Sequence, residues 1–146
     1  IPKLVALNGL GGYDSRQMTR ELPPRTPIFI SAIEWWKIVD PAGYFEKSGD
    51  HAGELETSVM MHVAPDLVRP LGEAGLGAAK QPRPTGMREG WAWAPRAWTR
   101  VTPDTGIGDP SRATAEKGAR YTQAVVGRVA EFLVELAAVD PKDLYE

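Results

Sequence analysis

The order of elements in this sequence predicts an α/β fold with a mainly parallel sheet. Two short apolar runs, residues 3–7 and 27–33, flank a glycine-rich turn and a stretch with helical spacing. Continuous apolar runs of this length suit strands covered on both faces, as in parallel sheets. A long amphipathic stretch after Asp109-Pro110 supplies a packing helix near the C-terminal end.

Residues 3–7 (Lys-Leu-Val-Ala-Leu) form the first strand, and Asn8-Gly9-Leu10-Gly11-Gly12-Tyr13-Asp14 turns away from it. Asp14 or Ser15 caps a short helix that runs to about Leu22, with Met18 and Leu22 one turn apart on its inner face. Pro23-Pro24 stops that helix, and residues 27–33 are the second strand. Strand, turn, helix and strand make a βαβ unit, whose strands are parallel and whose crossover is right-handed by rule. A glycine turn after a strand raises the question of a nucleotide site. Asp14 stands where the dinucleotide fingerprint needs its third glycine, and no Gly-Lys-Ser/Thr follows, so a nucleotide is the weakest reading. Ligands of open α/β sheets nevertheless sit at the carboxyl ends of strands, which puts the 8–14 turn and Trp35-Trp36 at one crevice. The two tryptophans serve there as stacking surfaces or as core.

Residues 37–48 read as a loop or short helix ending near Tyr44-Phe45. A helix over about 52–64 places Leu55, Val59, Met60 and Val63 on its apolar face and ends at Pro65. His62 has no acid at metal-ligand spacing and reads as a packed or surface residue. From Val68 to Pro110 the chain is rich in proline and glycine without a clear period. Residues 75–86 read as an exposed loop, and Trp91-Ala92-Trp93 as a strand or extended arm. Asp109 then caps a helix whose first residue is Pro110 and which runs to about Val139. Its inner stripe is Tyr121, Val125, Val129, Phe132 and Leu136, with Lys117, Arg120, Arg128 and Glu131 on the wet face. Gly118 and Gly127 each weaken that helix by about 1 kcal/mol relative to alanine, so packing must hold it. Asp140-Pro141 closes it. Sheets usually have about 4–6 strands, so the strands beyond the first two are expected from an N-terminal portion or from another chain.

The residues with most chemistry lie in Gly49-Asp50-His51-Ala52-Gly53-Glu54-Leu55-Glu56-Thr57-Ser58, where one of only two histidines accompanies three carboxylates and two hydroxyls. A helix start favours acidic groups and anions, because its N–H groups are free and its dipole end is positive. With His51 leading the helix, Glu54 shares its face and Glu56 points roughly 140° away, toward Met60 and Val63. A carboxylate on an apolar face needs a cation, a metal or donor groups as partner. The alternative is a capped helix start whose charges face water.

Composition narrows the function. A chain of 146 residues with a net charge of −2 is one domain or part of one, and indicates neither nucleic acid nor a membrane surface as partner. No run approaches the 18 apolar residues of a membrane span. Without cysteine there are no disulfides, no thiolate chemistry and no cysteine-type zinc site; a cytoplasmic location is the default. Five tryptophans are present, three of them at positions 91, 93 and 98. The chain lacks an initiator Met and enters an apolar run at once, which leads us to expect a fragment, a processed chain or a portion of a longer protein.

Three motifs, taken together, resemble the creatininase (creatinine amidohydrolase) family. Asn8-Gly-Leu-Gly-Gly-Tyr-Asp14 is similar to its Asn-Gly-His-Gly-Gly-Asn element. Gly49-Asp-His-Ala-Gly-Glu-Leu-Glu-Thr-Ser58 is similar to its His-Ala-Gly-x-x-Glu-Thr-Ser element. Thr105-Gly-Ile-Gly-Asp-Pro110 with Ala115-Glu-Lys-Gly118 is similar to its C-terminal signature. They follow the family's order and span nearly the whole chain, which would then be the C-terminal portion of a creatininase-like domain.

The resemblance implies a three-layer α/β/α fold with a mainly parallel sheet, incomplete in this chain. It implies a homo-oligomeric hydrolase that cleaves C–N bonds of cyclic amides, formamides and related small amides, using water activated by divalent zinc, manganese or iron. Most metal ligands of the family lie in an N-terminal Glu-x-His-Gly…Asp segment, which this sequence lacks. A further ligand is the turn histidine, replaced here by Leu10, while Tyr13 replaces the usual asparagine. By resemblance His51 contacts substrate or passes a proton to the leaving nitrogen, and Glu56 is an active-site carboxylate that ligates or orients a metal. Asp50 steadies the imidazole or faces substrate, Gly11 belongs to the substrate-side turn, and Trp36 lies where the founding enzyme has an aromatic near its substrate. That enzyme's tryptophan four residues before the histidine is Lys47 here, which argues against creatinine itself. Loss of the turn histidine leaves a second possibility, a family member kept as an inactive binding or structural subunit.

Overall fold

The first apolar run forms β1 (Lys3–Asn8), hydrogen-bonded in parallel to β2 (Phe29–Glu34), with Lys3 opposite Phe29 and Asn8 opposite Glu34. Between them lies α1 (Ser15–Glu21), which packs on β2 and completes the predicted βαβ order. Asp14 caps α1 as expected: its side chain accepts the Arg16 N–H at 3.0 Å and its carbonyl accepts that of Gln17. The computed structural model describes residues 1–145 except Tyr13, Pro23 and Pro24, with the side chain of Met18 also outside it. The expected proline stop, the Tyr13 replacement and the inner-face role of Met18 therefore lie outside the described residues.

Two units divide the chain, Ile1–Asp40 with Ala124–Glu146, and Pro41–Gln123. In the first, β1 departs from expectation: Leu4 and Leu7 are 43% and 61% exposed. Among the described residues β1 pairs with β2 alone, so its other edge has no strand partner there. Trp35 and Trp36 follow β2 in a 3₁₀ turn, ring edge to ring face at 6.2 Å.

The second unit holds α2 (Glu54–Val63), the short α3 (Thr85–Arg88) and α4 (Trp98–Val101), and the first part of α5 (Ala115–Ala138). Its core gathers Phe45, Leu55, Ala113 and the fully buried Tyr121. Tyr44 and Phe45, reached through a 3₁₀ turn at Pro41–Gly43, both stand edge-on to Tyr121 at 5.3 Å. The predicted stripe of α5 holds at Tyr121, Val125 and Leu136, all buried.

Three expectations change. The inner face of α2 is Glu54, Leu55 and Ser58, whereas Met60 and Val63 are exposed. The helix begins at Glu54 rather than near 52, and the face turned inward is the one on which Lys117 meets Glu54 and the Thr114 N–H meets Ser58. α5 begins at Ala115, five residues after Pro110. The Asp109 carboxylate is used in a local turn onto the Ser111 N–H, and Thr114 caps α5 through the Lys117 N–H. Residues 91–93 form no strand; Trp91 and Trp93 are 76% and 80% exposed. No helix among the described residues is long and apolar enough to cross a membrane.

Candidate active site

His51 lies in the loop before α2, and three glycines explain why the loop can close there. A Cβ on Gly49 would come within 2.8 Å of the Gly53 Cα and 3.2 Å of the Gly108 Cα. The 49–53 and 106–108 segments thus touch backbone to backbone, a packing only glycine permits. That contact carries a short antiparallel bridge: the Ile107 carbonyl accepts the N–H groups of Asp50 (2.7 Å) and His51 (3.0 Å), and the Ile107 N–H donates to the His51 carbonyl at 2.8 Å. Ala52 is held at φ 51°, a strained value for a residue with a side chain. The two motif segments, far apart in sequence, are one structural piece.

The structure brings His51 and Glu56 together. Glu56 is the third residue of α2, and its Oε2 accepts the Ala52 N–H at 2.7 Å, reaching back over the helix start. The same oxygen lies 3.5 Å from His51 Nδ1, and both side chains are about two-fifths exposed. Nε2 of the imidazole has no hydrogen-bond partner among the described residues. A ring oriented by a carboxylate at one nitrogen and open at the other is suited to proton transfer.

Asp50 does not hold the imidazole. Its carboxylate takes both prongs of Arg96 at 2.7 and 2.9 Å, which raises the guanidinium pKa through the hydrogen bond and the charge against the opposing effect of burial. Glu54 does not share a face with His51 either. It is 1% exposed, accepts the N–H groups of Glu46 and Lys47 at 3.0 Å each, and meets Lys117 Nζ at 2.6 Å. Burial pushes its pKa up, but the Lys117 hydrogen bond, the backbone donors and the Lys117 charge outweigh that and leave it lowered. The costly buried carboxylate of this motif is therefore Glu54, with a protein cation as partner. The sequence spacing puts Lys117 on the wet face of its helix, whereas its ammonium turns inward onto Glu54.

Trp98 was also missed: its ring lies 5.0 Å from that of His51, and Arg96 stacks on it at 4.8 Å. The density of tryptophan at 91–98 was the only signal in the sequence.

Leu10, Gly11 and Trp36 belong to the other unit. Leu10 is 55% exposed and its N–H donates to the Asn8 side chain at 3.0 Å. Gly11 has open space where a Cβ would stand, and Trp36 is half-buried beside Trp35.

The described residues do not by themselves fit a catalytic metal. No three His, Asp or Glu side chains gather among them in a way that could hold an ion. Leu10 offers no donor atom, and Glu56 is engaged with Ala52 and His51.

The family model Creatininase, creatinine amidohydrolase, matches residues 1–133. No curated protein matches the chain. Among solved structures, a candidate creatinine amidohydrolase from Bacteroides fragilis superposes with a TM-score of 0.87 at 46% identity, over 97% of this chain and 55% of that one. A creatininase structure designated Mn superposes with a TM-score of 0.69 at 22% identity, over 94% and 58% of the two chains. A glutamate-to-glutamine creatininase variant complexed with creatine gives 0.70 at 22%, over 94% and 58%. At those lower identities the likeness shows the α/β fold alone. The chain spans a little over half the length of the solved relatives it matches. With its motifs in order and the family model covering nearly all of it, the chain belongs to the creatininase family.

Proposed function

We propose that this chain is the C-terminal portion of a creatininase-like amidohydrolase that hydrolyses a C–N bond of a small cyclic or related amide. The observation that carries the reading is the pairing of His51 Nδ1 with Glu56 at 3.5 Å, in the loop that the family motif marks. A departing amide nitrogen needs a proton, and in this reading Nε2 of His51 delivers it. Glu56 orients the ring and balances the charge it carries when protonated. Trp36 and Gly11 are the further substrate-binding residues of this reading, while Asp50 serves by holding Arg96. Zinc, manganese or iron belongs to this reading as a metal held mainly by the part of the family's length that this chain does not span. Self-association into a homo-oligomer is part of the same proposal.

The test is hydrolysis of a panel of small cyclic amides by the whole protein that carries this chain, followed by product NMR. His51→Gln is expected to lower kcat by about 10²–10⁴-fold, the range for loss of a general acid or base. Turnover independent of His51, or none with any amide after loading with zinc, manganese or iron, would remove the proposal.

Leu10 favours a second reading, an inactive family member that binds or scaffolds. Metal content separates the two. Near-stoichiometric divalent metal in the purified protein supports the enzyme. Metal that appears only in Leu10→His supports a degenerate site.

A further inference from the structure

We propose that Arg96 and Trp98 are positioning residues for His51, forming with Asp50 a clamp that fixes the imidazole plane. The inference rests on the reading above that His51 is the working imidazole.

Four side chains close a ring of contacts between two segments 46 residues apart in sequence. Asp50 holds Arg96 by two charge-assisted hydrogen bonds of 2.7 and 2.9 Å, the geometry that makes an arginine–carboxylate pair directional. Arg96 lies over the Trp98 ring at 4.8 Å, and Trp98 lies against the His51 ring at 5.0 Å with 58° between planes. Asp50 and His51 are adjacent and share the Ile107 carbonyl as backbone acceptor, so their spacing is fixed. Arg96 and Trp98 are two residues apart, so theirs is constrained as well. Pulling Arg96 onto Asp50 therefore carries Trp98 onto the imidazole.

Such a clamp has work to do. Glu56 meets one edge of the imidazole at 3.5 Å, a long contact that does not fix the ring by itself. Trp98 lies beside the ring, tilted 58° to it, and limits rotation about the Cβ–Cγ bond. Nε2 then keeps one direction in which to meet a substrate. Lysine at position 96 would keep the charge and lose the fork, so it is not equivalent.

The experiment uses the whole protein, with the His51 imidazole signals in carbon–proton NMR spectra assigned by their disappearance in His51→Gln. Wild-type His51 ring protons should show the ring-current displacement imposed by Trp98. Asp50→Asn and Arg96→Lys should each move those signals toward free imidazole while leaving Trp98 in place as a residue. Trp98→Phe should keep part of the displacement, and Trp98→Leu should abolish it. In turnover, Asp50→Asn and Arg96→Lys should lower kcat by about tenfold to a hundredfold with KM nearly unchanged, as misplacement of a reacting group does. His51 signals that stay put in Asp50→Asn and Arg96→Lys would overturn the clamp whatever the activity. Displaced signals with unchanged kcat would overturn its positioning role. An intact ring-current effect in a protein whose turnover ignores His51→Gln would instead sink the functional reading and leave the contact standing.

Discussion

Lys117 on α5 places its ammonium 2.6 Å from the carboxylate of Glu54 on α2, a side chain that is 1% exposed. The pair joins the helix that carries Glu56 to the long C-terminal helix. Removing one member of a buried pair leaves an uncompensated charge, which costs about 3–5 kcal/mol when both are buried. Lys117 is 27% exposed, so water offsets part of that, and Lys117→Met is expected to lose about 2–3 kcal/mol in urea unfolding. Adding Glu54→Leu should recover only part of the loss, because the Glu46 and Lys47 N–H groups then lose their acceptor.

The same carboxylate sets a pH dependence. Its folded pKa lies below the usual 4.5, so the stability it contributes is present above the unfolded value. That contribution is lost as pH falls through the folded value. Unfolding midpoints of the wild type should therefore fall below about pH 4.5 more steeply than those of Glu54→Gln. Equal slopes in the two proteins would contradict this account.

How much of this was legible in the sequence divides along local and non-local lines. The βαβ order, the Asp14 cap and the α5 stripe depend on neighbours a few residues away, and local patterning shows them. The start of α5 lies five residues beyond Pro110 because Asp109 satisfies a turn as readily as a helix cap, and only packing decides which. At the site, the motif located His51 and Glu56. It did not show which of Glu54 and Glu56 is buried, because that depends on partners outside the motif, the Glu46 and Lys47 N–H groups and the Lys117 ammonium that enclose Glu54. Arg96, Trp98 and Lys117 reach the motif from 46 to 63 residues away, a distance no spacing rule spans.

Two helix glycines give opposite expectations. A Cβ on Gly118 would run into the Ser58 carbonyl, where α5 crosses α2, while one on Gly127 meets nothing within 4 Å. Alanine improves helix propensity at either site by about 1 kcal/mol. At Gly118 the backbone clash should exceed that gain, so Gly118→Ala loses about 1–3 kcal/mol. Gly127→Ala should gain about 0.5–1 kcal/mol. Thermal midpoints of the two variants, measured side by side, check the sign of each.

Within the first unit, Lys3 on β1 caps the far end of α5. Its ammonium donates to the carbonyls of Leu136 at 2.5 Å and Ala137 at 3.0 Å, with Val139 as a third acceptor. The first two are last-turn carbonyls of α5 and the third lies just past it, and a cation there also meets the negative end of the helix dipole. Lys3→Met keeps most of the side chain's apolar length and removes the charge and donors. It is expected to cost about 1–2 kcal/mol, the range for a cation at a favourable helix end. Because the loss is local, hydrogen exchange should accelerate first at the amide of Val139, which bonds back to Glu135, and later in the middle of α5. Uniform acceleration along the helix would mean that Lys3 acts through the strand and not through the cap.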